Sequence, residues 1–315
     1  MNILVTGGAG FIGSHVADSM IEAGHQVSIV DNLWEHGGGQ IKNINPRAEF
    51  YEIDICSPAL ATVFEKEQPE VICHHAAQHS VRVSIDDPGY DAQVNILGLL
   101  NLLQCATRFK SRKIIFASSG ATYGTVTTVP INEHTIQNPI SPYGITKTAS
   151  EHYLRFWQKV YGLSFTSLRY GNVYGPRQNP TGEAGVVAIF IRAMLKGEKV
   201  YIDWDGEQER DYVYVQDVAR ANVLAMLKGD GETYCIATSQ STSVNTLYHK
   251  LVKTVGHEVE VVRSPKRPGD IRMSYFDCRK AKESLGWTAE TDLDEGLYRT
   301  VDYFSSAAKS KIFSD

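Results

Sequence analysis

The opening of the chain constrains its fold most strongly. An apolar segment, ILVT (3–6), runs directly into the glycine-rich stretch GGAGFIG and then into an amphipathic helical pattern. Gly7, Gly10 and Gly13 give Gly-x-x-Gly-x-x-Gly, and Gly8, Gly10 and Gly13 also satisfy Gly-x-Gly-x-x-Gly. Glycines permit a tight turn between a strand and a helix, and they let the backbone approach a pyrophosphate at the helix N-terminus. The stretch therefore predicts a strand–turn–helix unit that binds a dinucleotide.

Apolar runs rich in Val and Ile alternate with helical patterns through the first half of the chain. The runs are almost continuously apolar, as expected of strands buried on both faces of a sheet. Strands are predicted at 3–6, 27–30, 50–53, 71–74, 113–118 and 164–169, and helices at about 12–23, 57–66, 88–109 and 143–161. This alternation indicates an α/β protein with a Rossmann-type, doubly wound parallel sheet.

The pattern loosens after residue 172, where the segment NVYGPRQNPTGEAG is rich in Gly and Pro. A helix is predicted near 186–196, and 213–227 reads as a strand and a helix that return to the sheet. We expect two units: an NAD-binding Rossmann domain and a smaller C-terminal α/β substrate-binding lobe. The domain comprises 1–172 plus about 211–237, and the lobe comprises about 173–210 plus 238–315.

Composition excludes several classes of protein. A net charge of −5 and a pI of about 6.1 argue against a general binder of nucleic acid or anionic membranes. The five cysteines are scattered without a Cys-x-x-Cys pair, so neither a disulfide framework nor a zinc site is predicted. No apolar run reaches membrane-spanning length, and a strand at the N-terminus leaves no room for a signal peptide. We expect a cytoplasmic protein.

Asp31 closes the second predicted strand, 18 residues after Gly13. A carboxylate at this place can accept hydrogen bonds from the adenosine ribose hydroxyls of a dinucleotide. It would also repel a 2′-phosphate, so NAD is favoured over NADP as the cofactor. The alternative is that Asp31 serves only as a turn residue at the end of the strand.

The stretch SPYGITK places Tyr143 four residues before Lys147. Residues at this spacing share one face of a helix, and a nearby ammonium group favours the phenolate and lowers the pKa of a tyrosine. The pair could therefore act as a base. The alternative is an ordinary helix start, with Ser141 as N-cap, Pro142 at the first position and the lysine in solvent.

Four further motifs add to the glycine turn and the Tyr-x-x-x-Lys pair. They are SSGATYG (118–124), RYGNVYGP (169–176), RDYVYV (210–215) and RPGD (267–270). With them the chain resembles the extended short-chain dehydrogenase/reductase family from residue 1 to about residue 294. Within this family it looks most like the NAD-dependent UDP-glucose 4-epimerases.

The resemblance implies a catalytic set of Ser119, Tyr143 and Lys147. Tyr143 would be the acid/base, Lys147 would lower its pKa and bind the nicotinamide ribose, and Ser119 would hydrogen-bond the sugar 4-oxygen. Ser118 competes for the serine role, although packing at the strand end suits it better. The implied reaction is C4 epimerisation of a UDP-hexose through a transient 4-keto sugar, with NAD regenerated in each turnover.

The resemblance also implies a set of cofactor contacts around the dinucleotide. They are Gly7, Gly10, Phe11, Ile12, Gly13, Asp31, Asn32, Asp54, Ile55, His75, Ala76, Ala77, Asn95, Tyr143, Lys147 and Tyr170. Asp54 matches an acid near the adenine, and Asn95 matches an asparagine that orients the turn near the cofactor. His75 and His79 depart from the family pattern. Since no carboxylate stands at ligand spacing from them and His74, we predict no metal site.

The implied substrate contacts are Ser119, Tyr143, Asn172, Phe190, Arg210, Arg267, Asp270 and Ser274. Asn172 and the two arginines would bind the pyrophosphate, because a guanidinium fits phosphate oxygens as a planar fork. Asp270 would hold the nucleotide ribose, and Phe190 would contact the uracil. Surface ion pairs with neighbouring aspartates are the alternative for the arginines.

Gly120 and Ala121 stand where the 4,6-dehydratases of the family carry Asp-Glu, which favours epimerisation. Ser274 matches a position that gates the sugar pocket, and a small residue there admits 2-acetamido sugars. The alternatives are another nucleotide-sugar enzyme, such as a dehydratase or reductase, or a non-catalytic dinucleotide sensor. The resemblance implies a homodimer built from the long helices at 88–109 and 143–161, although packing within one subunit gives the same pattern.

Overall fold

The structure is a computed structural model that describes residues 1–34, 37–181, 185–266 and 271–309. Two of the predicted substrate contacts, Arg267 and Asp270, lie outside the described residues.

The strands follow the apolar runs closely. They are β1 (Asn2–Thr6), β2 (Gln26–Asp31), β3 (Glu49–Glu52), β4 (Val71–His74), β5 (Lys113–Ser119), β6 (Ser164–Tyr170), β7 (Asn172–Tyr174), β8 (Val200–Asp203), β9 (Glu209–Arg210), β10 (Tyr212–Tyr214), β11 (Glu232–Ile236), β12 (Thr242–Ser243), β13 (Val261–Ser264) and β14 (Met273–Ser274). Seven of them form one sheet in the order β11-β6-β5-β4-β1-β2-β3, and every pair in it is parallel. The predicted doubly wound parallel sheet is confirmed.

The helices are α1 (Phe11–Glu22), α2 (Leu60–Glu67), α3 (Val81–Asp86), α4 (Pro88–Ala92), α5 (Gly98–Arg108), α6 (Pro142–Tyr161), α7 (Val186–Lys196), α8 (Val215–Ala225), α9 (Val244–Val255) and α10 (Leu293–Lys309). A π-helical turn, Gln93–Leu97, joins α4 to α5, so the predicted helix at 88–109 is one rod with a wide turn in its middle. No helix in the described ranges is both long and apolar enough to cross a membrane.

Two apolar clusters cover the two faces of the main sheet. One contains residues of α1 and α8, including Val16, Met20 and Val218, and the other contains residues of α2, α5 and α6, including Phe64, Leu102 and Leu154. A third cluster, centred on α7, α9 and α10, forms a separate apolar core in the second half of the chain. The proposed domain boundaries stay a prediction.

One prediction about the second half is wrong. The strand expected at the start of 213–227 does not join the main sheet: β10 pairs with β7 in a separate two-stranded sheet. The segment that adds the seventh strand is β11, which pairs with β6. The helix of this segment, α8, does return to the domain, because it packs against α1.

Candidate functional site

A cleft of about 610 Å³ opens at the carboxyl ends of the central strands. Such an edge of a parallel sheet is where ligands bind in this class of fold. All of the predicted cofactor contacts except Asn95 line the cleft. Residues far apart in sequence, from the first glycine turn to Tyr170 at the end of β6, therefore meet in one place.

The glycine turn forms the floor of the cleft and needs its glycines for packing. Gly7 has φ +70°, and a Cβ there would lie 2.5 Å from the backbone nitrogen of Ala76. A Cβ on Gly13 would overlap the carbonyl oxygen of Gly7. Gly10 caps α1 without a side chain, so the N–H groups of the first helical turn face the cleft as donors for an anion.

Asp31, at the end of β2, supports the glycine turn and also lines the cleft. Its carboxylate accepts backbone N–H bonds from Ala9 (3.0 Å) and Leu33 (2.9 Å), so it braces the glycine turn as well as lining the cleft. Burial raises the pKa of Asp31, and these backbone donors oppose that rise. Each carboxylate oxygen can accept a second bond, so the group can still receive a hydroxyl donor.

Asn32 and Asp54 lie beside Asp31 at the same end of the cleft. The amide of Asn32 donates to Asp54 Oδ2 over 2.8 Å, and Asp54 Oδ1 accepts from the backbone of Cys56 over 2.7 Å. These bonds fix a polar end of the cleft, formed from the termini of β2 and β3.

The adjacent histidines divide between packing and cleft lining. His74 Nδ1 lies 2.7 Å from Thr6 Oγ1, and burial lowers the pKa of this imidazole well below its usual value. His75 stacks on Tyr170 with ring planes 14° apart, its Nε2 lies 3.2 Å from the phenol oxygen, and burial lowers its pKa to about 4. His75 and His79 line the cleft. Among the described residues, no group of three or more His, Cys, Asp or Glu side chains could hold a metal ion.

Asn95 lies behind the wall of the cleft and holds that wall in position. It lies on the π-helical turn, and its amide accepts from Gln78 N (3.0 Å) and donates to Gln78 O (2.9 Å). The buried carboxylate of Asp91 ties this unit to α6, since it accepts from Asn95, Gln78 and the Thr146 hydroxyl over 2.8–3.0 Å. Asn95 thus orients the turn, as the family pattern implies, but it does not line the cleft.

Tyr143 and Ser119 meet at the start of α6. The side chain of Ser119 lies close enough to the Tyr143 hydroxyl to lower the pKa of this phenol, and Ser119 Oγ accepts from Ala121 N over 3.1 Å. The hydroxyl of Ser118 donates instead to Glu151 Oε1 over 2.7 Å, because successive side chains of β5 point to opposite faces. Of the two candidate serines, Ser119 is therefore the one that meets Tyr143, although the cleft lining itself contains Ser118.

Lys147 is buried, so a lysine in solvent is excluded, although Ser141 does cap α6. Its Nζ donates to Ala117 O over 2.9 Å and lies 5.8 Å from the Tyr143 ring centroid. Burial lowers its pKa to about 8, while the charges of Asp91 and Glu151 oppose that shift.

The lowering of the Tyr143 pKa by this lysine stays a prediction, because burial dominates the pKa of the phenol. Burial raises the pKa of Tyr143 to about 12, the side chain of Ser119 only partly offsets that rise, and the charge of Asp91 adds to it. The phenol is therefore protonated at neutral pH.

Sequence reasoning missed the buried ion pair beneath this site. Glu151, one helical turn after Lys147, accepts from Arg169 Nε (2.9 Å) and from the hydroxyls of Ser118 (2.7 Å) and Ser167 (3.0 Å). Burial opposes ionisation, but the Arg169 hydrogen bonds and charge hold the pKa of Glu151 below its ordinary value. The spacing 143, 147, 151 continues one helix face, and this periodicity is the signal that could have revealed Glu151.

Four of the predicted substrate residues, Asn172, Phe190, Arg210 and Ser274, lie outside the lining of the cleft. Ser274 on β14 pairs in register with Arg210 on β9, and one guanidinium nitrogen of Arg210 donates to Ile271 O over 2.8 Å. Asn172 is exposed at the start of β7. Neither these three nor Phe190 are among the described residues that line the cleft.

The prediction for Phe190 is wrong in this structure. The side chain is 2 % exposed and packs edge-on against Tyr248 in the third apolar cluster. It therefore has no surface to offer a uracil ring.

Gly120 follows Ser119 in a tight space. A Cβ on Gly120 would lie 2.5 Å from Cζ of the buried Phe276. The position therefore leaves no room for an acidic side chain beside Ser119 unless the aromatic ring moves.

Comparisons with known proteins show similar chains and similar folds. The family model described as GDP-mannose 4,6 dehydratase matches residues 4–300. A UDP-glucose 4-epimerase of Thermotoga maritima, solved with UDP-glucose, is 51 % identical, with a TM-score of 0.95 over 98 % of this chain and 100 % of that one.

Two further relatives are similar over almost their full length. A UDP-glucose 4-epimerase of Thermus thermophilus, solved with NAD, is 40 % identical, with a TM-score of 0.93 over 98 % of this chain and 100 % of that one. A UDP-glucose 4-epimerase of Mycolicibacterium smegmatis is 40 % identical over 98 % of this chain and 100 % of its own length.

Proposed function

We propose that this chain, which belongs to the extended short-chain dehydrogenase/reductase family, is an NAD-dependent UDP-glucose 4-epimerase. It interconverts UDP-galactose and UDP-glucose by inverting C4 through a transient 4-keto sugar. The observation that carries the proposal is that Tyr143 and buried Lys147, one helical turn apart on α6, both line the cleft that holds the glycine turn, with Ser119 beside the Tyr143 hydroxyl.

The residues of the cleft fit NAD. The first turn of α1 offers N–H donors to a pyrophosphate, and Asp31 offers a carboxylate to the adenosine ribose. Ala76, Ala77 and Lys147 line the cleft. The small alanine side chains would let the dinucleotide pass close to the backbone, and Lys147 would bind the nicotinamide ribose. When bound, oxidised NAD would accept the hydride that leaves C4 of the sugar. The positive charge of its nicotinamide ring would favour ionisation of a nearby phenol.

Tyr143 moves the proton in this proposal. Its Oη would take the proton of the C4 hydroxyl as C4 gives up its hydride, and would return the proton to the same oxygen when the hydride comes back to the opposite face of C4, while Ser119 hydrogen-bonds that oxygen. Lys147 assists as a cation, because an ammonium near the phenolate offsets the cost of burying that charge. Its pKa of about 8 keeps it largely charged at neutral pH.

The absence of an acid beside Ser119 favours epimerisation over the dehydratase and reductase alternatives. Elimination of water from the sugar needs a second proton donor, and Gly120 faces Phe276 where such a donor would stand. An enzyme of the reductase type would, with UDP-galactose and bound NAD, oxidise the sugar to its keto form and release the NADH so formed, and a dinucleotide sensor would bind NAD without converting any sugar.

Ser274 is proposed as the gate that admits 2-acetamido sugars as well as hexoses. Its in-register pairing with Arg210 brings the gate next to a proposed phosphate ligand. Ser274→Tyr should lose UDP-GalNAc conversion while keeping UDP-galactose conversion, and Ser264→Tyr, on β13 of the same half, serves as the control. Equal loss of both substrates would reject the gate.

A homodimer is proposed because α6 carries an apolar stripe on its outer side. Ile145, Phe156 and Val160 are each about half exposed and lie on one side of the helix at 3.6 residues per turn. Phe156→Glu should yield a monomer in light scattering, whereas Tyr201→Glu, at an exposed site on β8, should not. A cytoplasmic location is proposed from the five free cysteines, which suit a reducing compartment.

Proton NMR of UDP-galactose with the purified protein and no added cofactor tests the function. Appearance of the UDP-glucose anomeric signal would support both epimerisation and retention of NAD. Oxidation of one equivalent of UDP-galactose per protein, with release of one NADH, would indicate the reductase alternative, and NAD binding without conversion would indicate a sensor.

A further inference from the structure

Two aromatic side chains meet at the polar end of the cleft, and no step of the proposed reaction uses them. Trp34 and Tyr90 both line the cleft beside Asn32 and Asp54. Their ring centroids lie 5.6 Å apart with planes inclined by 55°. Trp34 belongs to the segment that follows β2, whereas Tyr90 belongs to α4, so the contact joins two separate walls of the cleft.

Both residues are held in place by their own backbone surroundings. The backbone N–H of Trp34 donates to Asn32 Oδ1 over 3.2 Å, and its carbonyl oxygen accepts from Gly37 N over 2.8 Å. The backbone N–H of Tyr90 donates to Asp87 Oδ1 over 2.9 Å, which caps α4. Burial and then the charge of Asp54 raise the pKa of the Tyr90 phenol, which places it near the polar end.

The chemistry of this end suits an adenosine. Asp31, Asn32 and Asp54 offer acceptors and an amide for ribose hydroxyls and ring edges, but they offer no flat surface for the faces of a purine. Aromatic rings stack on purines, and tryptophan has the largest ring system available. Trp34 and Tyr90 supply that surface at the one end of the cleft where the ribose-binding carboxylate stands.

We propose that Trp34 and Tyr90 form the adenine-binding wall of this cleft and that their contact slows the release of NAD. The proposal rests on the proposed function, since it assumes that the cleft holds NAD. The two walls touch through these rings, so an adenosine held between the walls leaves only after the rings separate. Slow release suits a reaction that regenerates its cofactor in every turnover.

The release rate of NAD from the purified holoenzyme tests the proposal. Holoenzyme carrying radiolabelled NAD is diluted into excess unlabelled NAD, and the label that remains bound is followed by rapid filtration. Trp34→Ala and Tyr90→Ala should each release label at least about tenfold faster, which corresponds to about 1.4 kcal/mol. Trp34→Phe should stay close to the wild-type rate, and Tyr298→Ala, an exposed aromatic on α10, is the matched control.

A second measurement separates adenine stacking from a general loss of structure. Nicotinamide mononucleotide lacks the adenosine, so Trp34→Ala should weaken NAD binding and leave the affinity for the mononucleotide unchanged. Wild-type release rates in both alanine variants, or equal weakening for both ligands, would overturn the adenine wall. A wild-type protein that carries no NAD and binds none would instead overturn the proposed function.

Discussion

Replacing Glu151 by Gln tests the buried ion pair beneath the catalytic helix. The carboxylate accepts two hydrogen bonds from Arg169, at 2.9 and 2.5 Å, and others from Ser118, Ser167 and Gln137. An amide cannot accept all of these bonds, and it leaves the Arg169 guanidinium, which is 2 % exposed, without a counter-charge.

The cost of this change follows from the burial of both partners. Removing one member of a buried pair costs about 3–5 kcal/mol, since the other charge stays buried and uncompensated. For a chain of this size, a loss of this magnitude lowers the melting temperature by roughly 5–8 °C. Glu65→Gln, at an exposed position on α2, should change stability by less than about 0.5 kcal/mol.

Thermal melting of a double-mutant cycle measures the coupling. The free energy of unfolding lost by the double variant should be smaller than the sum of the losses in Glu151→Gln and Arg169→Gln. The difference should be about 0.5–3 kcal/mol. The reasoning is refuted if Glu151→Gln melts with the wild type, or if the two single effects add. Since Glu151 also raises the pKa of Lys147, the alkaline limb of the Glu151→Gln pH–rate profile should move to lower pH.

Three further changes probe the reacting groups and their surroundings. Tyr143→Phe should lower kcat by about 10²–10⁴-fold while the purified protein still carries NAD, which ultraviolet absorbance of the released cofactor would reveal. Activity of the wild type should fall as the pH rises through about 8, because Lys147 loses its charge there. Lys147→Arg should abolish that fall, because a guanidinium stays protonated, and pH–rate profiles of both proteins would measure this. Gly120→Asp should lower stability by about 1–3 kcal/mol in denaturant melts, since its Cβ meets Phe276; an unchanged melt would mean that the ring moves freely.

The sequence predicted the main sheet well because its strands are buried on both faces. Continuous apolar runs such as VICH (71–74) have no competing helical period, and each became a strand. The seventh strand, β11, was missed because TYCI is short and follows two glycines at 229 and 231. The sequence does not reveal that β10 pairs with β7, since this pairing depends on how the chain passes between the Rossmann domain and the substrate-binding lobe.

Within the site, local spacing carried the correct inferences. Tyr143 and Lys147 share a helix face at four residues apart, and the same spacing leads on to Glu151. The role of Asp91 could not be found in this way, because its partner Thr146 lies 55 residues away. Spacing revealed the neighbouring charge of Lys147 but not the burial that raises the pKa of Tyr143.

The same limit explains the error at Phe190. Helix α7 is apolar over most of its circumference, so its sequence does not reveal which side faces a ligand. In the structure Ile189 is exposed and Phe190 lies in the core.

The most direct test of hydride return at the Tyr143 site uses UDP-galactose deuterated at C4, with the purified protein and no added cofactor. The hydride leaves C4 and returns to the same carbon, so the UDP-glucose formed in ordinary water should keep its deuterium, and Tyr143→Phe should form almost none. Retention of the label would be read from the absence of the C4 proton signal of the product. Appearance of that signal during turnover would contradict the proposed reaction, because C4 would then have exchanged its hydrogen with solvent.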